Sequence, residues 1–266
     1  MFRYYSDLIF ILFLTALAAC SGNDDHVFTF SHGAIIRGDT SVPEIALVFS
    51  GDEFGDGLEF ISGMLEGEDI RASFFLTGKF YRNREFEPWV KSLAAGGNYL
   101  GSHSDNHLLY CDWEKRDSLL VTRKEFIDDL EDSYNELQKF GIEKEQALWF
   151  LPPYEWYNDS IAIWTGEYGL QLINFTPGTR SNADYTLPEM GTGYVDSRTI
   201  YNSVVSYESM QPTGLNGFIL LVHAGTDPRR TDKFYFLLPE LVRELKTRGY
   251  RFVRIDDLLN GTMKKR

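Results

Sequence analysis

The sequence predicts a single parallel α/β domain. Apolar, β-rich segments alternate with segments of helical period along most of the chain. Groups able to do chemistry come directly after several of those strands, at the end where parallel barrels build their sites. Past residue 40, neither an internal repeat nor a linker interrupts the alternation.

The chain opens with processing signals. Arg3 precedes the apolar run Leu8-Ile9-Phe10-Ile11-Leu12-Phe13-Leu14, and Leu17-Ala18-Ala19-Cys20 closes it. The run is too short for a good membrane-spanning helix, so 1–19 reads as a signal peptide. Its ending looks like a bacterial lipobox, in which Cys20 is lipidated and becomes the first mature residue. A plain secretory signal is the alternative. Residues 20–40 read as a tether that begins Ser21-Gly22-Asn23-Asp24-Asp25. The acidic pair resembles surface-export signals of some Gram-negative lipoproteins. The expected location is the cell envelope, on the outer membrane, with the lipid as the sole membrane contact.

Residues 41–266 form the expected domain. A β-rich run covers 44–49, and 57–66 has helical character. The strand 72–77 precedes a helix over 85–95 that Gly96-Gly97 stops. A short strand over 98–102 leads into a histidine pair. In the clearest helix, Thr122 and Glu125 have capping-box spacing, and Phe126, Leu130, Tyr134 and Leu137 recur on one face. Gly141 suits its C-terminal cap. Then come a strand at 147–151, a weak helix at 160–168, and strands at 170–175 and 217–223. A helix at 238–247 carries Pro239 in its first turn, and the strand 251–255 closes the pattern.

A hydrophobic share of 43%, with 15% aromatic residues, supplies a real core. The net charge of −13 repels nucleic acid and anionic membranes and favours neutral or cationic partners. With Cys20 lipidated, Cys111 is the one thiol left, so no intramolecular disulfide forms; it is expected as a small packed residue.

Three of the five histidines sit in two motifs, His103-Ser104-Asp105-Asn106-His107 and Leu220-Leu221-Val222-His223. Two neutral imidazoles four residues apart can meet one metal ion. Asp52, just past the first strand, is the best third ligand, with Glu53 and Asp56 as alternatives. The glycines at 51, 55 and 57 are expected to let the backbone bend there. His223 suits protonation of a leaving amine. Phe150-Leu151-Pro152-Pro153-Tyr154-Glu155 is a stiff turn whose Tyr154 amide can face a developing oxyanion. Trp156 and Tyr157 add aromatic surface beside Glu155. Together these residues suggest a metal-assisted hydrolase.

As an ordered set, the motifs over roughly 44–259 resemble the polysaccharide deacetylase family, metal-dependent carbohydrate esterases that include chitin and peptidoglycan deacetylases. Residues 46–49 and the loop after them stand where the family has T-F-D-D. Ala72-Ser73-Phe74-Phe75-Leu76-Thr77-Gly78 resembles A-T-F-F-x-x-G. His103 to His107 matches H-[S/T]-x-x-H, Leu151-Pro152-Pro153-Tyr154 resembles R-x-P-Y, and Leu221-Val222-His223 matches L-x-H. The resemblance implies a distorted (β/α) barrel with fewer than eight parallel strands. It also implies a divalent metal, commonly zinc, on Asp52, His103 and His107, with His223 as the acid. The implied substrate is an acetylated polysaccharide or oligosaccharide.

Two departures stand out. Ser50 and Gly51 occupy the places of the paired aspartates, and Leu151 replaces the arginine that orients the base. Either the base has moved, with Glu155, Glu53 or Asp56 as candidates, or the protein is a catalytically impaired carbohydrate-binding lipoprotein.

Overall fold

The computed structural model describes residues 28–260. The expected signal at 1–19 and the lipidation site at Cys20 lie outside them. Part of the expected tether 20–40 is regular structure: strand β1 (Thr29–Ser31) and β2 (Ala34–Arg37) form an antiparallel hairpin. β2 joins the main sheet because Ala34 and Ile35 are apolar enough to be buried there.

The main chain then alternates as expected. β3 (Glu44–Gly51) is followed by helix α1 (Leu58–Gly67), and β4 (Ser73–Leu76) by α2 (Gly78–Arg82) and α3 (Glu87–Ala95). β5 (Tyr99–Ser102) leads through a loop to α4 (Arg123–Gln138). β6 (Trp149–Phe150), α5 (Asp159–Glu167) and β7 (Gln171–Leu172) come next, then α6 (Ser197–Met210), β8 (Phe218–His223), α7 (Leu238–Thr247), β9 (Arg251–Val253) and α8 (Ile255–Asn260).

β3 is the spine. It pairs in parallel with β8 along one edge; β4 and β9 share the other. β4 to β7 continue in parallel, in sequence order. Past β7, the Asn174 N–H donates to Ile35 O at 2.9 Å, and Ile173 bridges Ile35, so the curled sheet returns toward β2. The result is the expected distorted (β/α) barrel with fewer than eight parallel strands.

Strand alternation divides the core in two. Leu47, Phe49, Leu220 and Val222 face the helices, whereas Ala46, Val48, Ile219 and Leu221 face the barrel interior. Phe49 stacks on Phe74 with ring centroids 4.9 Å apart. Ile255, Leu258 and Leu259 of α8 fill the interior cluster. Each fully buried side chain of this size contributes roughly 1.5–3 kcal/mol before entropy is counted.

The capping box of α4 is formed: Glu125 N–H donates to Thr122 Oγ1 at 3.2 Å, and Thr122 N–H to Glu125 Oε2 at 2.7 Å. Three helices were not expected. α2 is a single short turn capped by Thr77. α6 buries only Ser197, Ile200, Tyr201 and Val204, a stripe diluted by polar residues. α8 begins where the expected last strand was to end.

Candidate metal and catalytic site

The parallel strands deliver their chemistry at one rim. Asp52 follows β3, Thr77 follows β4, His103 follows β5, the Pro-Pro turn follows β6, and His223 ends β8. Neighbouring C-terminal ends in register place these groups side by side. Ser50 pairs with His223, and Ser102 with Phe150.

The histidine pair sits in a built loop. His103 is 2% exposed, and its Nδ1–H donates to Leu151 O at 2.9 Å. A carbonyl can only accept, so that contact fixes the tautomer and leaves Nε2 as the lone-pair nitrogen. His107 N–H donates to Ser104 Oγ at 3.0 Å, which explains the hydroxyl at that place in the motif. Ser104 and His107 both have positive φ, 69° and 56°. Such backbone persists only where surroundings enforce it. The buried Asp129 carboxylate of α4 does so: it accepts from the N–H groups of Asp105 and Asn106, each at 3.0 Å, and from Asn106 Nδ2 at 2.9 Å. Arg82 braces Asp105 from the other side, with bonds of 2.5 and 3.0 Å.

His103 and His107 meet with ring centroids 5.0 Å apart. Asp52 Oδ2 lies 3.9 Å from His107 Nδ1, while Oδ1 accepts from Thr77 Oγ1 at 2.9 Å. Burial, then the proximity of His107, holds the His103 imidazole down at about 3. Burial, then the Lys79 ammonium, holds His107 at about 4. Both rings are therefore neutral at ordinary pH, the form that binds metal. Among the described residues, no three His, Cys, Asp or Glu side chains already converge as a complete ligand set. Two neutral imidazoles and a carboxylate nonetheless fit zinc and similar divalent ions.

The acid–base side is built around His223. Its Nδ1 bonds Asp184 Oδ1 at 2.6 Å, and its backbone N–H donates to Asp184 Oδ2 at 3.0 Å. Burial opposes the imidazolium, but the Asp184 carboxylate outweighs it and the imidazole is raised above its ordinary value. Nε2 is the nitrogen left to exchange a proton. Asp184 was not anticipated: it lies in a turn (Ser181–Tyr185) of the long loop after β7, well past the strand's end, and carries no motif spacing.

Glu155 is a further titratable group of this rim. Burial pushes its carboxyl up to about 7, against the pull of His223 and with the push of Asp184. Tyr154 and Glu155 are consecutive left-handed residues, φ 59° and 52°, just beyond the stiff prolines. The Tyr154 N–H has no partner among the described residues. Its ring packs on His107, with centroids 4.4 Å apart.

The other two base candidates separate from this group. Asp56 is occupied by Thr226 N, Tyr235 OH and Lys233 Nζ, at 2.8, 3.0 and 2.9 Å. Glu53 is exposed on the loop. The glycine at 51 is required by close approach rather than by a bend: a Cβ there would lie 2.9 Å from Leu76 and 3.0 Å from Phe80. An aspartate cannot occupy that place without repacking, and Asp52 stands one residue on. Ser50 is 1% exposed, and its Oγ has no hydrogen-bond partner. Leu151 is wholly buried in the barrel interior.

The sequence over residues 37–173 matches the family described as Polysaccharide deacetylase. A peptidoglycan-N-acetylglucosamine deacetylase of Bacillus cereus is 26% identical over 198 residues, 74% of this chain and 78% of its own. An uncharacterized 30.6 kDa protein of Geobacillus stearothermophilus is 24% identical over 87% of this chain and 77% of its own. A family 4 carbohydrate esterase from Bacillus subtilis has the same fold, with TM-score 0.67 at 21% identity, over 88% of this chain and 87% of that one. A CE4 family pseudoenzyme from Bacillus anthracis also matches, with TM-score 0.65 at 19% identity, over 86% and 69% of the two chains. So does a mutant of it with restored enzymatic activity, at the same TM-score and identity, over 86% and 72%.

Proposed function

This chain belongs to the polysaccharide deacetylase family, and from that premise we propose that it is a metal-dependent hydrolase that removes N- or O-acetyl groups from a cell-envelope or extracellular polysaccharide. The observation that carries the reading is the pairing of two neutral histidines beside Asp52 with a His223–Asp184 couple and a near-neutral Glu155 at the same rim.

Asp52, His103 and His107 would hold the ion, with zinc the expected occupant. When bound, it would supply polarisation of the acetyl carbonyl and acidification of a water. Glu155 takes the proton from the attacking water. The Tyr154 N–H donates to the oxygen that gains charge. His223 gives its Nε2 proton to the departing amine or alkoxide as the C–N or C–O bond breaks, and Asp184 holds the imidazolium in place. Glu155 thus replaces the base lost at Ser50, which is also why Leu151 need not be an arginine.

The full-length protein, loaded with zinc, is expected to release acetate but no reducing sugar from an N-acetylated glycan. Chelation and His103→Ala should each abolish the release, and His103→Ala should lose the stoichiometric metal. Reducing-sugar release instead of acetate would refute the reading.

A second reading, a non-catalytic glycan-binding lipoprotein on this scaffold, draws support from the lone Ser50 hydroxyl and Leu151. It predicts glycan affinity without acetate release, unchanged by His223→Ala. Under either reading we place the protein at the cell envelope, anchored to the outer membrane through lipid on Cys20. Cys20→Ser should abolish labelling by an alkyne fatty acid and move the protein to the soluble fraction. Labelling that persists in the variant would rule out Cys20.

A further inference from the structure

We infer that Trp113 is a stacking platform for the sugar next to the one whose acetyl group is processed, so that the protein takes an oligomeric, equatorially linked glycan rather than a single sugar. The proposal deepens the function proposed above and rests on it only for the identity of the sugar next door.

Trp113 is 56% exposed, yet the loop that carries it is built with unusual care. Cys111 and Leu119 bridge as antiparallel partners across its base, with Asp112 N–H donating to Ser118 O and Leu120 N–H to Tyr110 O, both at 2.9 Å. The Asp112 carboxylate caps the tip by accepting from Glu114 N and Lys115 N at 2.9 and 2.8 Å. The Trp156 Nε1–H stitches the loop to the Pro-Pro turn through Asp112 O at 3.2 Å. Trp113 does not stand alone: Tyr154, itself 45% exposed, touches it, and a contiguous exposed aromatic surface on an ordered loop marks a contact surface.

Its neighbours define where that surface leads. The Trp113 ring stands on edge against Tyr154, centroids 5.7 Å apart, and Tyr154 in turn packs on His107. Trp113 is therefore one aromatic ring removed from the candidate metal ligand. Trp156 lies 5.5 Å from Trp113, but the Arg116 guanidinium covers it at 3.7 Å, so Trp113 is the indole left for a ligand. A pyranose with equatorial substituents presents a flat face of C–H groups, the shape and polarity that an indole face accepts. A rigid ring also loses little freedom on binding.

The test is equilibrium binding by calorimetry to the full-length chain in a His223→Ala background, which preserves acetylated ligands. The probes are tetra-N-acetylchitotetraose, xylotetraose and monomeric N-acetylglucosamine. The expected result is that at least one tetramer binds more tightly than the monomer. Trp113→Ala should then weaken that tetramer about tenfold, roughly the loss of one aromatic contact. Trp113→Phe should retain most of the affinity, and Met210→Ala, an exposed apolar change at the end of α6 that leads into the start of β8, should leave it unaltered. Tetramer affinity unmoved by Trp113→Ala, or binding to neither tetramer with the fold intact, overturns the platform. Failure of the catalytic reading is separately visible, as absent acetate release from the unmodified chain while the Trp113 effect on binding persists.

Discussion

Under the proposed mechanism, Glu155 supplies the base for which Ser50 has no carboxylate. The Ser50 hydroxyl is buried without a partner beside His223, and such a group costs about 1–3 kcal/mol in desolvation. Ser50→Ala is therefore expected to leave the melting temperature unchanged or raise it; a clear fall would show that the hydroxyl has a bonding role. Glu155→Gln should lower acetate release by about 10²–10⁴, the usual worth of a general base. Adding Ser50→Asp to Glu155→Gln should recover part of that rate, since it returns a carboxylate to the strand end in register with His223. Equal rates in the single and double variants would count against that placement.

At the scale of elements, α4 does more than cover the sheet. Its Asp129 holds the main chain between His103 and His107, and Ser133 holds Ser102 at 2.7 Å. Asp129→Ala should cost about 2–4 kcal/mol, the loss of charge-assisted bonds to a buried loop, and weaken metal binding. Denaturant unfolding and metal titration would check both; a stability loss with unchanged metal affinity would limit Asp129 to a structural role. The sequence revealed α4 through Thr122, Glu125 and its apolar stripe, and revealed the strands through their apolar runs. It did not reveal α6, whose buried face is half polar, or Asp184, which reaches His223 only because the long loop after β7 folds over β8. His103, His107 and His223 were legible because strand ends announce them. The function of Gly51 was not, because the crowding of Leu76 and Phe80 exists only in three dimensions.

At the scale of the whole molecule, the buried histidines couple the fold to pH. In the unfolded chain their imidazoles take up protons below about 6.5, whereas in the fold they do so only near about 3 for His103 and about 4 for His107. At these two sites the unfolded state then binds more protons across that window, so their contribution is complete above about 6.5 and falls as the pH drops through it; Glu155, protonated in the fold below about 7, offsets part of the fall. The metal-free protein should lose melting temperature progressively from pH 6.5 toward 4, by an amount worth a few kcal/mol. His103→Gln should flatten part of that slope; an unaltered slope would mean that other groups drive acid unfolding.

Catalysis should carry the opposite pair of limbs. Glu155 serves as base only when ionised, so the rate rises through its value, about 7 without metal and lower beside a bound dication, and His223 serves as acid only when protonated, so the rate falls again above the ordinary imidazole value. The decisive measurement is the pH–rate profile of acetate release by the zinc-loaded full-length protein beside Glu155→Gln. The expected profile is a bell whose rising limb, at or below pH 7 because a bound dication lowers a nearby carboxyl, disappears in the variant together with most of the rate. A profile and rate that Glu155→Gln leaves unchanged, or no acetate from the metal-loaded wild type, would contradict it.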